Sequence, residues 1–103
     1  MGHRLSQKEL ALLEKIIGEE VNTRGVCLMQ GKNEQIPGYR GILKHVDYDP
    51  FTMELKAVVI HCDSGMERFH FNTESGYTIC DIHKELYHNG QLVVKVLPDE
   101  GNL

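Results

Sequence analysis

No run of apolar residues in this 103-residue chain exceeds four, far short of the roughly 20 that a bilayer-crossing helix needs. No charged-then-apolar leader resembles a secretion signal. The chain therefore reads as cytoplasmic, with no membrane partner. Paired cysteine is equally scarce: Cys27, Cys62 and Cys80 are odd in number and widely spaced, which suits free thiols in a reducing compartment. Positive charge is not in excess either. A formal net charge of −4 argues against a generic nucleic-acid or anionic-membrane binder and leaves only a local basic face for that role. Low-complexity tracts and internal repeats are absent. So are a Walker loop, a dinucleotide-binding glycine fingerprint, a zincin helix and a nucleophile elbow. No cofactor is expected, and no enzymatic activity.

What remains has the length and apolar fraction of one soluble domain spanning residues 1–103. Met1-Gly2-His3 and the polar residues from 98 onward, read as a flexible tail, are set aside from the fold argument. Ser6-Gln7-Lys8-Glu9 has the form of a capping box, with Leu5 and Leu10 at the two staple positions. Leu10, Leu13, Ile17 and Val21 then recur at three- and four-residue steps, predicting an amphipathic helix over 6–22 in which Gly18 costs about 1 kcal/mol relative to alanine.

From Arg24 to Leu97 the pattern turns to strands. Val26 to Met29 is a short apolar run, followed by a polar loop from Gln30 to Gln35. Strands are predicted from Tyr39 to Asp47 and from Met53 to His61, joined by the turn Asp49-Pro50-Phe51-Thr52. Asp63-Ser64-Gly65 is the next turn, before Arg68 to Asn72, where Phe69 and Phe71 alternate with polar neighbours. Residues 78–88 fit two patterns. Ile79, Ile82, His83 and Leu86 make a helical stripe, while Asn89-Gly90 signals a hairpin; the preferred reading is a short second helix near 78–88 and a final strand from Leu92 to Leu97.

The stretch Pro37-Gly38-Tyr39-Arg40-Gly41-Ile42-Leu43-Lys44-His45-Val46-Asp47 resembles an element of small SH3-like β-barrels found in bacteria and mobile elements. Here the first glycine directly follows Pro37, and Gly41 holds the place where backbone bends or another strand comes close. The expected fold class is α+β: an amino-terminal amphipathic helix packed on a small bent antiparallel sheet or SH3-like barrel. Such barrels generally bind peptides, nucleic acids or protein partners, so the resemblance implies a binding role.

Six histidines and three cysteines invite a metal reading. Cys62, Cys80 and His83 are the best set, with His61, His70 or His88 as the fourth ligand; only Cys80 and His83 have pair spacing. A thiol nucleophile could pair Cys62 with a histidine and Asp63 or Asp81. Both readings rank below small core cysteines and surface histidines. Glu19-Glu20 and Asp47 with Asp49 fall where helix ends and turns favour carboxylates.

The expected binding surface is Tyr39, Arg40, Lys44, Lys56, Arg68 and His70, with Arg40 and Lys44 sharing one face of their strand by parity. Tyrosine adds rigid contact area with a polar tip. The function expected is a non-enzymatic module acting through protein contacts, as adaptor, accessory factor or inhibitor. A nucleic-acid-binding barrel is the alternative, and a metal or thiol protein the third. The apolar stripe of the first helix either packs on the barrel or joins two copies in a homodimer.

Overall fold

The computed structural model describes residues 3–29, 32–36, 38–71 and 80–96. One helix, α1 (Gln7–Lys15), precedes seven strands: β1 (Glu20–Met29), β2 (Lys32–Ile36), β3 (Arg40–Tyr48), β4 (Leu55–Cys62), β5 (Gly65–His70), β6 (Cys80–His88) and β7 (Gln91–Val96). All pair antiparallel in an open sheet of order β5-β4-β3-β1-β6-β7, with β2 on the far half of β1. The expected α+β class and SH3-like barrel are therefore corrected. Among the described residues the chain is mostly sheet with one short helix.

The helix begins as its sequence requires. The Ser6 side chain accepts from the Glu9 N–H at 3.1 Å, and the Glu9 carboxylate accepts from the Ser6 N–H at 2.9 Å. It ends seven residues earlier than the apolar spacing implies. Gly18 takes φ 94, and main-chain bonds then run from the Gly18 N–H to the Leu43 carbonyl and from the Leu43 N–H to the Glu19 carbonyl. That turn delivers Val21 to β1, where it is buried as a strand residue, and leaves Ile17 exposed. Leu13 and Ile16 carry the helix into the core, beside β7. Ahead of it, His3 to Leu5 bond to the chain around Glu54, so His3 belongs to the fold.

The predicted second helix is also corrected: Cys80–His88 is strand β6, paired with β1 on one side and β7 on the other. Asn89 and Gly90 both take positive φ, 52 and 75, as a two-residue hairpin turn demands. Main-chain pairing on both edges outweighs a helical stripe of four side chains. The stretch read as a polar loop contains β2, whose five residues pair with Gly25 to Met29. The residues read as a flexible tail lie outside the described residues.

Two bulges shape the core. Lys44 is an extra residue between Leu43 and His45, and Lys56 between Leu55 and Ala57, relative to the strands opposite. The first lets Leu43 and Val46, three apart, both face inward, where Leu55, Val58, Ile60, Phe69, Leu86 and Val94 join them. It also breaks the simple parity that placed Arg40 and Lys44 in one alternating row.

Candidate binding face

Outward from that core, β3, β4 and β5 present a grid of nine side chains. Register fixes its rows: Ile42, His61, Met66; then His45, Val59, Arg68; then Asp47, Ala57, His70. The middle is small and apolar, since Ala57 is buried and Val59 half-buried, while the histidines and Arg68 around it are exposed. Arg68 reaches across β4 to bond Asp47 through Nη2. Lys44 and Lys56 flank the grid at the bulges, both exposed.

At one end of this face the β3–β4 turn holds Phe51 94% exposed; at the other, Met66 is 61% exposed. The turn is locked rather than loose. The Asp49 carboxylate accepts from the Phe51 N–H at 2.8 Å and the Thr52 N–H at 3.4 Å, while the Met53 N–H donates to the Asp49 carbonyl at 2.7 Å. Those bonds, the one from Phe51 foremost, hold the Asp49 carboxyl below its ordinary range. Phe51 is thus offered to solvent by a rigid tip.

Of the residues expected at a binding surface, Lys44, Lys56, Arg68 and His70 come together here. Tyr39 and Arg40 do not. Tyr39 is half-buried, its ring edge-on to Phe69 at 6.4 Å between centroids, and its N–H donates to the Thr23 hydroxyl at 2.8 Å. It is a core residue with an accessible rim. Arg40 pairs with Glu20 at 2.7 Å and lines a shallow cleft with Asn22, Thr23, Gly38 and Tyr39, beyond the Ile42 end of the grid.

The metal set is not assembled. Cys62 ends β4 as a half-buried free thiol, and strand alternation sends the neighbouring His61 to the opposite face. His83 is on β6, separated from β4 by β3 and β1 in sheet order, with Nε2 3.4 Å from Glu85. The backbone of Cys80 pairs with Leu28, and its side chain lies outside the described residues. No group of three or more His, Cys, Asp or Glu among the described residues could hold a metal ion. In the thiol-enzyme grouping, His61 points away from Cys62.

The other conspicuous cluster is on β6, where Glu85 is only 7% exposed. Register sets it between Arg24 and Lys95, with His83 and Tyr87 on the same side of its own strand. Arg24 Nε lies 4.0 Å from its carboxylate. Desolvation first, then the hydrogen bond to Glu85, pushes the Tyr87 phenol above its ordinary 10.0. These partners satisfy the carboxylate internally, which is a structural role.

Sequence reasoning did not single out Phe51 and Met66, and it considered His61 only as a metal ligand. Phe51 was hidden as a turn residue. Met66 shares the parity of Arg68 and His70, a signal present in the sequence once β5 is extended back to Gly65. Among the described residues no helix is long and apolar enough to cross a membrane. The chain matches no family model, no curated protein and no solved structure.

Proposed function

We propose that this protein is a non-enzymatic binding module of the cytoplasm that engages a protein partner through the outer face of β3, β4 and β5. One observation carries the reading: among the described residues the two most exposed large apolar side chains, Phe51 and Met66, bracket one sheet face that α1 does not cover. An apolar centre with a rim of arginine and histidine is the composition that protein interfaces favour. Aromatic anchors carry much of the energy at such surfaces, and the bonded turn holds Phe51 ready without an ordering cost. The free thiol of Cys62 suits a reducing compartment.

The test uses exposed positions, so that folding is spared. Phe51→Ala and Met66→Ala should each keep stability within about 0.5 kcal/mol, and each should weaken capture of the native partner by about tenfold or more, some 1.4 kcal/mol. Leu92→Ala, on the far edge strand, should not. Loss of capture only with Leu92→Ala would place the interface elsewhere.

A nucleic-acid reading draws support from Lys44, Lys56 and Arg68 lying on or beside the same face of a chain whose net charge is −4. It requires binding that falls steeply with salt, with a slope of about 2 to 3 for three phosphate contacts. A salt-insensitive partner disposes of it.

A further inference from the structure

We infer that the edge of β5 left unpaired among the described residues takes an extended acidic peptide segment as an added strand; this rests on the proposed protein-binding face, of which β5 is the outer column. The direction of the backbone groups carries it. The Phe71 N–H donates to the Lys56 carbonyl, so Phe71, and with it Phe69 and Glu67, turn their main-chain groups toward β4. Alternation turns those of Met66, Arg68 and His70 the other way. The His70 carbonyl confirms this independently, because it accepts from Lys84 Nζ at 2.9 Å, on the side away from β4. That lysine closes the edge at its far end. Between the hairpin turn and His70, the N–H and C=O groups of Met66 and Arg68 face outward, and among the described residues β5 pairs only with β4.

A second copy of the chain does not suit this edge. Joining two β5 strands antiparallel, with outer faces kept on one side, puts Arg68 opposite Arg68 in one central register and Glu67 opposite Glu67 in the next. Like charges directly opposite are destabilising in a sheet. A heterologous strand has no such conflict. Strand addition draws affinity from main-chain bonds and specificity from alternate side chains. Here the alternate side chains are Met66 and Arg68. Arg68 gives that row its positive charge: its side chain is 44% exposed, and a guanidinium keeps further N–H donors beyond the Nη2 that engages Asp47. The fitting partner is an extended segment with an acidic residue beside Arg68 and an apolar one beside Met66.

The experiment uses the full chain and a synthetic peptide, acetyl-Thr-Glu-Thr-Val-Thr-Glu-Thr-amide, which sets glutamate beside Arg68 when valine is beside Met66, read by amide hydrogen exchange. Saturating peptide should raise protection of the Met66 and Arg68 N–H groups tenfold or more. Glu67 and Phe69, already facing β4, should change little. Met66→Pro removes one outward N–H at a position where an edge strand tolerates proline, and should abolish the effect in a folded protein. Arg68→Glu should transfer the preference to the same peptide with lysine in place of glutamate. Peptide-induced shifts at Val59 and His61 without protection at Met66 and Arg68 would overturn strand addition while leaving the face as the binding site. Equal protection by acidic and basic peptides would overturn the charge preference. Protection by oligothymidylate but not by peptide would overturn both this inference and the protein-binding reading. Sedimentation as a dimer whose interface protects the same two amides would show that the edge takes a second copy instead.

Discussion

Gly41→Ala should be far more damaging than the addition of one methyl group suggests. A Cβ built on Gly41 lands on the His61 carbonyl oxygen, 2.9 Å from its carbon and 3.0 Å from Ile60 Cγ2. Main chain cannot swing aside as a flexible side chain can, so β3 and β4 must separate where Ile42 pairs with His61. Overpacking of this kind costs about 1–3 kcal/mol, and one or two weakened ladder bonds add about 1 kcal/mol each. Reduced freedom of the unfolded chain returns about 0.4–1 kcal/mol. The net expectation is a loss of about 3 kcal/mol, or roughly 10–20 °C in Tm for a domain of this size. Urea unfolding followed by circular dichroism measures it. Gly18→Ala is the comparison, since Gly18 has open space around its Cβ position and its strain is backbone only, at φ 94 and about 1–2 kcal/mol. A Gly41→Ala protein within about 0.5 kcal/mol of the parent, or one more stable than Gly18→Ala, would refute the close approach of β3 to β4.

Three further outcomes follow from the contacts described. Ser6→Ala should cost about 1 kcal/mol by removing the acceptor of the helix cap, measured by the same urea transition. In Glu9, burial raises the carboxyl pKa, but the Ser6 N–H and the His3 ring more than offset it and the group ends below its ordinary 4.5. A lowered folded-state pKa gives stability that is present above the unfolded value and is lost as pH falls through the folded one. Stability should therefore fall less between pH 5 and pH 3 in Glu9→Gln than in the parent, by acid titration of the urea midpoint. Glu85→Gln should move the Tyr87 phenol down toward 10, read by NMR titration, because the carboxylate that favours its protonated form is gone.

Local chemistry was legible in the sequence wherever a few adjacent residues decide the conformation. The Ser6–Glu9 capping box and the Asn89-Gly90 turn both form from neighbouring groups, and both are where the sequence puts them. Longer patterns misled for a physical reason. Leu10, Leu13, Ile17 and Val21 fit a helix, yet Gly18 at positive φ divides them between a helix face and a strand face. In β6, a helical stripe of apolar residues yields to ladder bonds from β1 and β7, which depend on residues about sixty positions earlier and on the hairpin beyond. β2 was invisible because Lys32 to Gln35 is polar and its pairing with β1 is made by main chain. The site was half legible. Lys44, Lys56, Arg68 and His70, expected from charge and parity, lie on or beside one face, but single-residue bulges decide which rows they border. Tyr39 lies apart from that face because its ring meets Phe69, a contact that the sequence does not show.

The most direct measurement is site-specific photo-crosslinking in the native cell, with the reactive residue placed in turn at Phe51, Met66 and Leu92. If the outer face of β3, β4 and β5 is the partner surface, positions 51 and 66 should form adducts with the same protein and position 92 should form few. Adducts that arise from position 92 alone, or adducts with nucleic acid from positions 51 and 66, would contradict it.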